Sequence, residues 1–296
     1  MTEPPSPSNA AVIDSARLVA KGPRIRWATL PWWAFILVAA GLLLIFLILA
    51  TPDYHETFRY LSVGMAVTLR ITAASYLTAT VIGLLTGLAR TSKNPITYTI
   101  STLYVETVRG IPLIVLMLYI AFVIVPLVAD GVQALGRLGL SFRPSGGLAE
   151  FFAGMSVVTS RQINLETRAI VALAICYGAY EAEIFRAGIQ SIGRGQMEAA
   201  RSLGMTYAQA MLRVILPQAI RRVLPPLGND FIACLKDSSL ATVLAVNELT
   251  QLGRLRRSST FRVFETFNVL TFLYLSMTLA LSGVVRVIER KMKFEE

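Results

Sequence analysis

Seven charged side chains lie within or beside apolar stretches of this 296-residue sequence. They are Glu106, Arg109, Glu181, Glu183, Arg186, Lys236 and Asp237. Because charged groups are costly in hydrocarbon, such residues either pair with one another or face a polar path between the apolar segments. Both interpretations stay open for each residue. No nucleophile stands at a suitable spacing from a base, so no catalytic residue is predicted.

The composition indicates a membrane protein. Hydrophobic residues make up 54% of the chain and charged residues 16%, whereas soluble domains carry about 25% charged residues. The net charge of +10 is typical of basic cytoplasmic loops and does not require nucleic acid as a partner. Cys176 and Cys234 lie in apolar stretches and are interpreted as packing residues, and His55 is the only histidine. No metal site is predicted.

Six apolar stretches are long enough to cross a bilayer as helices, which takes about 20 residues each. They run from Pro31 to Ala50, Tyr60 to Leu88, Ile96 to Val128, Arg168 to Ile189, Val223 to Val246 and Phe267 to Ile288. The sequence therefore predicts an all-α, polytopic membrane protein with about six transmembrane helices. Trp32 and Trp33 suit an interfacial anchor at the edge of the first stretch.

Two further features predict how these helices pack. Gly83 and Gly87 are four residues apart in the second stretch, a spacing that lets helices approach closely in lipid. The run Gly110-Ile111-Pro112 in the third stretch predicts a kink that faces a cavity or a protein interface.

Basic residues set the predicted orientation, because Lys and Arg concentrate on the cytoplasmic side. The N-terminal tail, the loop after the second stretch, residues 190–220 and the C-terminus all carry them, and six spans place these four segments together. Both termini are accordingly predicted to be cytoplasmic. One loop conflicts with this orientation, because its arginines would lie outside, against lipid headgroups or an acidic partner: Arg254, Arg256, Arg257 and Arg262.

The predicted domain order follows from these spans. A disordered cytoplasmic tail (1–25) precedes an additional transmembrane anchor with its loop (26–58), the main transmembrane domain (59–290) and a cytoplasmic C-terminus (291–296). Within the main domain, the glycine-rich residues 129–165 are predicted to form an extracytoplasmic loop with room for a short surface helix.

Residues 190–220 form a polar island between apolar stretches, and we call them the polar segment. Residues 196–203 favour a helix, Gly204 predicts a turn, and a second helix is predicted from Tyr207 to Pro217. Glu198 near the helix start would be favoured by the helix dipole. Such a unit could present a knob to a partner while both of its ends stay attached to membrane helices.

The polar segment resembles the EAA loop of ABC-importer permeases. The matching residues are Glu198-Ala199-Ala200, Gly204 and Val214-Ile215-Leu216-Pro217, with Val214 where the pattern has Ile. Other runs resemble the polar amino-acid branch of that family: Gly178-Ala179-Tyr180-x-x-Glu183-Ile184-x-Arg186-x-Gly188-Ile189, Tyr104-x-Glu106-x-x-Arg109-Gly110-x-Pro112, and Asn229, Lys236, Asp237, Ser238 and Leu240. Leu116 stands where many relatives have Gln, so no substrate contact is assigned to it.

The resemblance implies a type I importer permease core, to which the N-terminal span and residues 129–165 are additions, since relatives usually have about five spans. It implies that Glu198, Ala199, Ala200 and Gly204 couple the chain to a separate cytoplasmic ATPase dimer. This sequence contains no Walker-type glycine loop. ATP and Mg are therefore expected on the ATPase, with no cofactor on this chain.

The resemblance also implies that the substrate is an amino acid, which the charged residues within the apolar stretches could contact. Glu106, Glu183, Asn229 and Ser238 are the candidates for the substrate path, and Arg109, Arg186, Lys236 and Asp237 are the candidates for structural ion pairs, such as Glu183 with Arg186. Neither group excludes the other interpretation for a single residue.

The predicted function is a bacterial inner-membrane permease subunit that imports polar amino acids. The expected partners are a second copy or a paralogue, which completes the path, an extracytoplasmic amino-acid-binding protein, and lipid. A passive channel and an integral membrane enzyme are the alternatives. A channel would not need the polar segment. An enzyme would need a nucleophile at a suitable spacing from a base, which this sequence lacks.

Overall fold

The computed structural model describes residues 32–292, without the side chains of Trp33 and Met292. The predicted tail (1–25) and residues 293–296 of the predicted C-terminus lie outside the described residues. Within residues 32–292 every regular element is helical, which confirms the all-α fold. The α-helices are α1 (Trp32–Ala50), α2 (Pro52–Ala89), α3 (Pro95–Gly110), α4 (Leu113–Tyr119), α5 (Val125–Ser141), α6 (Gly147–Ser156), α7 (Leu165–Gln190), α8 (Arg194–Ser202), α9 (Tyr207–Ala210), α10 (Leu216–Asp237), α11 (Leu249–Thr260) and α12 (Val263–Met292).

The described residues divide into two units, one that ends at Phe46 and one that begins at Leu47. The first unit contains most of α1, whose apolar side chains are largely exposed, as suits a helix in lipid. The second unit contains all the candidate site residues.

Three helical segments are both long and apolar enough to cross a membrane: Pro52–Ala89, Leu113–Ser141 and Val263–Lys291. A shorter apolar helix covers Ala34–Ala50. The fourth predicted stretch corresponds to α7, with 26 residues. The fifth, predicted from Val223 to Val246, is displaced: α10 begins at Leu216 and ends at Asp237, with 22 residues, and a 3-10 helix follows over Ser238–Leu244. At 1.5 Å per residue these helices are about 39 and 33 Å long, enough for a hydrocarbon core of about 30 Å.

The predicted kink in the third stretch is a complete break. α3 ends at Gly110, and Ile111 is extended, with φ −105° and ψ 134°. A residue before proline is driven out of the helical region by the proline ring, so Pro112 forces this conformation on Ile111. The stretch therefore contributes two helical segments instead of one kinked helix.

Two π-helical turns, Ile120–Ile124 and Met211–Ile215, each lie just before a proline. In the first turn the Val125 amide bonds to the Ile120 carbonyl, five residues back. Pro126 has no N–H, so the Ala121 carbonyl loses its helical donor, and Arg168 donates to it at 3.0 Å. The second turn precedes Pro217 in the same way. The prediction that the helix ends at Pro217 is wrong, because the π-turn lets α10 continue to Asp237.

Close packing of α2 against α7 confirms the role predicted for the paired glycines. A Cβ at Gly83 would lie 2.6 Å from the Glu181 Cβ, and one at Gly87 would lie 2.8 Å from the Phe185 Cβ. α7 contributes its own glycine, Gly178, to the same interface, where a Cβ would lie 2.8 Å from an Ile82 methyl group. Side chains larger than hydrogen would push the two helices apart.

Residues 129–165 are mostly helical, whereas the sequence predicted a loop with room for one short surface helix, which α6 matches. α5 runs on to Ser141, and α6 packs back against it. Gly136 and Gly139 lie three residues apart on one face of α5, and there they contact Ser156 and Phe152. The glycines that suggested a loop therefore form a flat packing surface between two helices.

Candidate functional site

The polar segment folds as the sequence predicted up to its turn. α8 ends in a Schellman motif, in which the Met205 amide bonds to the Ala200 carbonyl at 3.2 Å and the Gly204 amide to the Arg201 carbonyl at 3.0 Å. This motif needs a left-handed residue just past the helix, and Gly204 has φ +82°. The Arg201 guanidinium closes the turn by donating to the Met205 carbonyl at 2.8 Å. Gly204 therefore has a conformational reason to be glycine.

The Glu-Ala-Ala run presents different faces of α8. Ala200 is buried against the rest of the segment, whereas Glu198 and Ala199 are exposed. The expected dipole effect on Glu198 is wrong: α8 begins at Arg194, so Glu198 lies in the second turn, and the dipole acts mainly within the first. Glu198 is thus free for a contact outside this chain.

Apolar side chains beyond the turn are strongly exposed. Leu203 is 80% exposed and Leu212 64%, with Tyr207 between them in sequence. A capping box between Thr206 and Gln209 starts α9 and fixes the backbone that carries Tyr207. Exposed leucines on a short, firmly capped unit outside the apolar helices form a surface suited to docking.

The polar segment is attached to the helices on both sides. Ile189 and Ile192 at the end of α7 form an apolar cluster with Ile215 and Ala219 at the start of α10. Arg222 of α10 also donates to the Ser191 carbonyl at 2.5 Å. The two ends of the polar segment, which contains α8, are therefore held to each other and to α7 and α10.

A network of ion pairs joins α2, α3 and α7. Arg90, only 8% exposed at the end of α2, donates to Glu183 at 2.9 Å and to Glu106 at 3.1 Å. Glu183 also pairs with Arg186, so the predicted Glu183–Arg186 pair is present. Two of the four substrate-path candidates thus lie in one network. In the sequence, Arg90 belongs to the basic loop after the second apolar stretch and was predicted only to mark the cytoplasmic side. The signal for its role was its position at the end of a helix that packs beside two helices with acidic residues.

The other candidate ion pairs do not form among residues 32–292. Arg109 lies over the Tyr180 ring, 5.8 Å from its centroid, as a cation–π contact. Asp237 accepts a hydrogen bond of 2.8 Å from the Tyr177 hydroxyl and so faces α7. Lys236, the neighbour of Asp237, is exposed and makes no ion pair within these residues. Adjacent helical residues point about 100° apart, which separates the two charges.

The remaining path candidates are placed differently from each other. Asn229 is exposed on α10. Ser238 is fully buried and donates to the Leu235 carbonyl at 2.7 Å, so its hydroxyl does not reach an open surface in this structure.

Glu181 is a buried acid that the site predictions left without a role. Its side chain is fully buried, and its carboxylate oxygens have no hydrogen-bond partner among the described residues. The Thr80 hydroxyl donates to the Tyr76 carbonyl instead. Burial of a carboxyl group without a hydrogen-bond partner is costly, so Glu181 does not stabilise the α2–α7 interface in which it lies.

The predicted loop that conflicted with the orientation is largely the helix α11, which contains three of its four arginines, and acidic residues at the start of α2 pair with two of the four. Arg256 pairs with Glu56 at 3.0 Å, and Arg262 pairs with Asp53 at 2.9 Å. Two of the four loop arginines are therefore neutralised within the chain, while Arg254 and Arg257 stay exposed. The positive charge that the loop presents is about half of what the sequence suggested.

No group of three or more His, Cys, Asp or Glu side chains that could hold a metal occurs in the part of the chain that the structure describes. Cys176 and Cys234 are buried free thiols, as their apolar surroundings predicted.

Comparisons with known proteins agree with this geometry. Residues 79–294 match the family described as binding-protein-dependent transport system inner membrane component. The probable amino-acid permease protein YxeN of Bacillus subtilis is 34% identical over 80% of this chain and 93% of its own length. The glutamine transport system permease protein GlnP of Escherichia coli is also 34% identical, over 78% of this chain and 91% of its own.

Solved structures show the same fold. A crystal structure of an amino acid ABC transporter with histidines contains a chain 35% identical to this one, with a TM-score of 0.62 over 82% of this chain and 98% of that chain. An inward-facing structure of the MetNI methionine ABC transporter aligns with a TM-score of 0.59 at 21% identity, over 79% and 97% of the two chains.

Proposed function

Since this chain belongs to the family of binding-protein-dependent transport system inner membrane components, we propose that it is the subunit through which an ATP-driven importer moves polar amino acids. The chain is a multi-pass inner-membrane permease. The amino-acid class is supported by relatives that cover most of this chain and are described as glutamine or amino-acid permeases. An ATP-driven importer is preferred to a passive pore, because a pore would not need a segment that couples it to an ATPase.

The observation that carries this proposal is the construction of the polar segment. α8 ends in a turn that only a left-handed residue allows, exposes Leu203 beside it, and is attached to both α7 and α10. We assign Glu198, Ala199, Ala200 and Gly204 to coupling with a separate ATPase dimer. Glu198 and Ala199 supply the exposed face, while Ala200 and Gly204 fix the shape of the unit.

The proposed partners follow from the same assignment. ATP and Mg are bound by the ATPase, and an amino-acid-binding protein delivers substrate on the opposite side of the membrane. Two permease copies, or one copy and a paralogue, complete the path, because one chain offers a single coupling helix. Both termini then lie in the cytoplasm, on the side of the ATPase.

Each part of this chain has a step in the proposed cycle. Closure of the ATPase dimer draws the two polar segments together, and the attached α7 and α10 tilt and open the path to the outside. The Arg90 network holds α2, α3 and α7 together as one body during this motion. Glu106 and Glu183 remain candidates for contact with the substrate ammonium, since Glu106 is still 64% exposed in its pair with Arg90.

The test is reconstitution of the permease with its ATPase in proteoliposomes, with the binding protein outside. Uptake of a labelled amino acid should require both ATP and the binding protein, and it should proceed against a gradient. Downhill flux that needs neither component would support the channel alternative and contradict the proposal.

A further inference from the structure

The helical segment that ends in α5 is longer than a membrane crossing requires. α4, the first π-helical turn and α5 form one segment, Leu113–Ser141, of 29 residues. At 1.5 Å per residue this segment is about 43 Å long, whereas the hydrocarbon core of a bilayer is about 30 Å thick. A helix of this length either tilts strongly or leaves the hydrocarbon at one end.

The excess length lies at the end of α5, away from the polar segment. Arg168, in the first turn of α7, donates to the Ala121 carbonyl at 3.0 Å, so Ala121 lies level with the start of α7. The rest of the segment continues past this level to Ser141, whereas α7 leads in the other direction to the polar segment. We call residues 131–156, which comprise the end of α5 and all of α6, the α5–α6 hairpin.

The two helices of the hairpin are antiparallel and touch through glycines of α5. A Cβ at Gly139 would clash with the Phe152 ring, and one at Gly136 would clash with the Ser156 amide. Neighbouring helical residues are rotated by about 100° from each other. In an antiparallel pair, the residues one position before these contacts therefore turn to the same side of the hairpin. They are Leu135 and Leu138 on α5 and Phe151 on α6.

This side of the hairpin is apolar, and the rest of the chain leaves it uncovered. Phe142 lies four residues after Leu138, and Leu148 lies three residues before Phe151, so both join the same side. Each of the five side chains, with Leu135, is more than half exposed, and Phe142 is 78% exposed. Large apolar side chains grouped in this way indicate a partner that keeps them from water.

The other side of the hairpin is polar. Arg137 and Ser141 are exposed there, and Asp130 lies one helical repeat before Arg137 on the same side. The charges of residues 130–156 balance, because Arg137 and Arg143 stand against Asp130 and Glu150. An element with one apolar and one polar side is typical of the lipid–water boundary. Its zero net charge means that the contact needs no anionic lipid.

Lipid is also the occupant that the position of the hairpin favours. Leu118, Phe122 and Leu127, which precede the hairpin in the same segment, are exposed apolar residues as well. The apolar surface of the hairpin is therefore a continuation of the apolar surface of a transmembrane segment. A protein partner would have to bind where this continuous surface leaves the bilayer.

We propose that the apolar side of the α5–α6 hairpin is embedded in the lipid–water boundary of the leaflet opposite the polar segment, with its polar side in water. The hairpin then holds the adjoining helices at a fixed depth, because displacement toward water would expose five large apolar side chains. The inference goes beyond the proposed function, since it concerns how the permease is held in the bilayer and not what it transports.

The test locates single tryptophans in the full-length permease, reconstituted in phosphatidylcholine vesicles. Trp27, Trp32 and Trp33 are replaced by Phe, and Phe142→Trp or Phe151→Trp supplies the probe. Phosphatidylcholine brominated in the upper half of its acyl chains should quench each probe by about half or more, because the apolar side of interfacial helices lies about 5–10 Å into the headgroup–acyl boundary. Bromination in the lower half should quench less.

Ala153→Trp is the matched control, because Ala153 is exposed and lies one position after the Phe152 contact, on the other side of α6. Aqueous acrylamide should quench this probe, and brominated lipid should not. Leu138→Trp, on the apolar side, replaces either test variant if that variant does not fold.

Three results would overturn the inference. Quenching of the Phe142→Trp and Phe151→Trp probes by acrylamide alone would place the apolar side of the hairpin in water, free for a binding protein. Protection of both probes from acrylamide and from brominated lipid would show that a second copy covers them. Stronger quenching by bromine in the lower half of the acyl chains would place the hairpin inside the hydrocarbon core.

Discussion

Arg90 at the end of α2 donates a hydrogen bond of 2.9 Å to Glu183 of α7. The same guanidinium reaches Glu106 of α3, so one buried cation joins three helices that are distant in sequence. Glu106 and Glu183, two candidates for contact with the substrate, are therefore also parts of a structural network. A guanidinium suits this position because its donors lie in a rigid plane and can serve two carboxylates at once.

Replacement of Arg90 should destabilise the permease. Arg90→Met leaves Glu106 without its partner and Glu183 with Arg186 alone, for a loss of about 1–3 kcal/mol. The measurement is the free energy or apparent Tm of unfolding of the purified protein in detergent. Lys93→Met is the control, three residues away on an exposed loop, and should change neither value. Equal stabilities of Arg90→Met and Lys93→Met would show that the network does not hold the helices.

The two acids of the network should differ in their response to neutralisation. Glu183 is 27% exposed and pairs with both Arg90 and Arg186, whereas Glu106 is 64% exposed and pairs with Arg90. Exposed pairs are worth about 0–1 kcal/mol, so Glu183→Gln should lower the apparent Tm more than Glu106→Gln. The thermal shifts of the two variants, measured side by side, check this order. A larger shift for Glu106→Gln would be incompatible with the described pairing.

Packing at Gly83 should tolerate no larger side chain. Gly83→Val would drive a branched side chain into Glu181 and the α7 backbone, and overpacking costs about 1–3 kcal/mol or more. The expected result is a lower yield of folded protein and a lower apparent Tm. Gly131→Val is the matched control, because a Cβ at Gly131 meets nothing within 4 Å. A normal Tm for Gly83→Val would mean that α2 and α7 are farther apart than described.

Glu198 should matter for coupling and not for folding. It is exposed on α8, so Glu198→Arg should leave the apparent Tm within about 1 °C of wild type, as for most surface substitutions. The reversed charge should weaken association with the ATPase and reduce ATP-driven uptake about 10-fold or more, while Glu198→Gln has a smaller effect. Co-purification of the ATPase with each variant gives the comparison. Wild-type association and uptake in Glu198→Arg would remove Glu198 from the coupling surface.

Local rules predicted part of the structure well. Gly83 and Gly87 predicted close helix packing, because their spacing alone puts them on one face of the helix. Gly204 predicted a helix end, because glycine readily adopts the left-handed conformation. Each of these features is encoded within a few residues of the chain. The sequence therefore contained all the information that the prediction needed.

Features that depend on residues distant in sequence were missed. Arg90 appeared to be a loop charge, because its partners lie 16 and 93 residues away. Gly136 and Gly139 appeared to mark a loop, since nothing local showed that α6 would pack on them. Pro217 appeared to end a helix, whereas a π-turn and the packing of α10 carry the helix through it. The open position of Lys236 is likewise a result of tertiary packing.

Gly204 provides the most direct test of the proposed coupling. Its φ of +82° costs a β-branched residue about 1–2 kcal/mol, whereas asparagine tolerates this region. ATP-driven uptake should be measured in proteoliposomes that contain the ATPase and either Gly204→Val, Gly204→Asn or the control Gly131→Val, which lies on α5 outside the polar segment and where a Cβ meets nothing within 4 Å. Uptake should be largely lost in Gly204→Val and largely kept in the other two, with all three variants assembled in the membrane. Wild-type uptake by Gly204→Val would contradict the claim that the shape of the polar segment couples this permease to its ATPase.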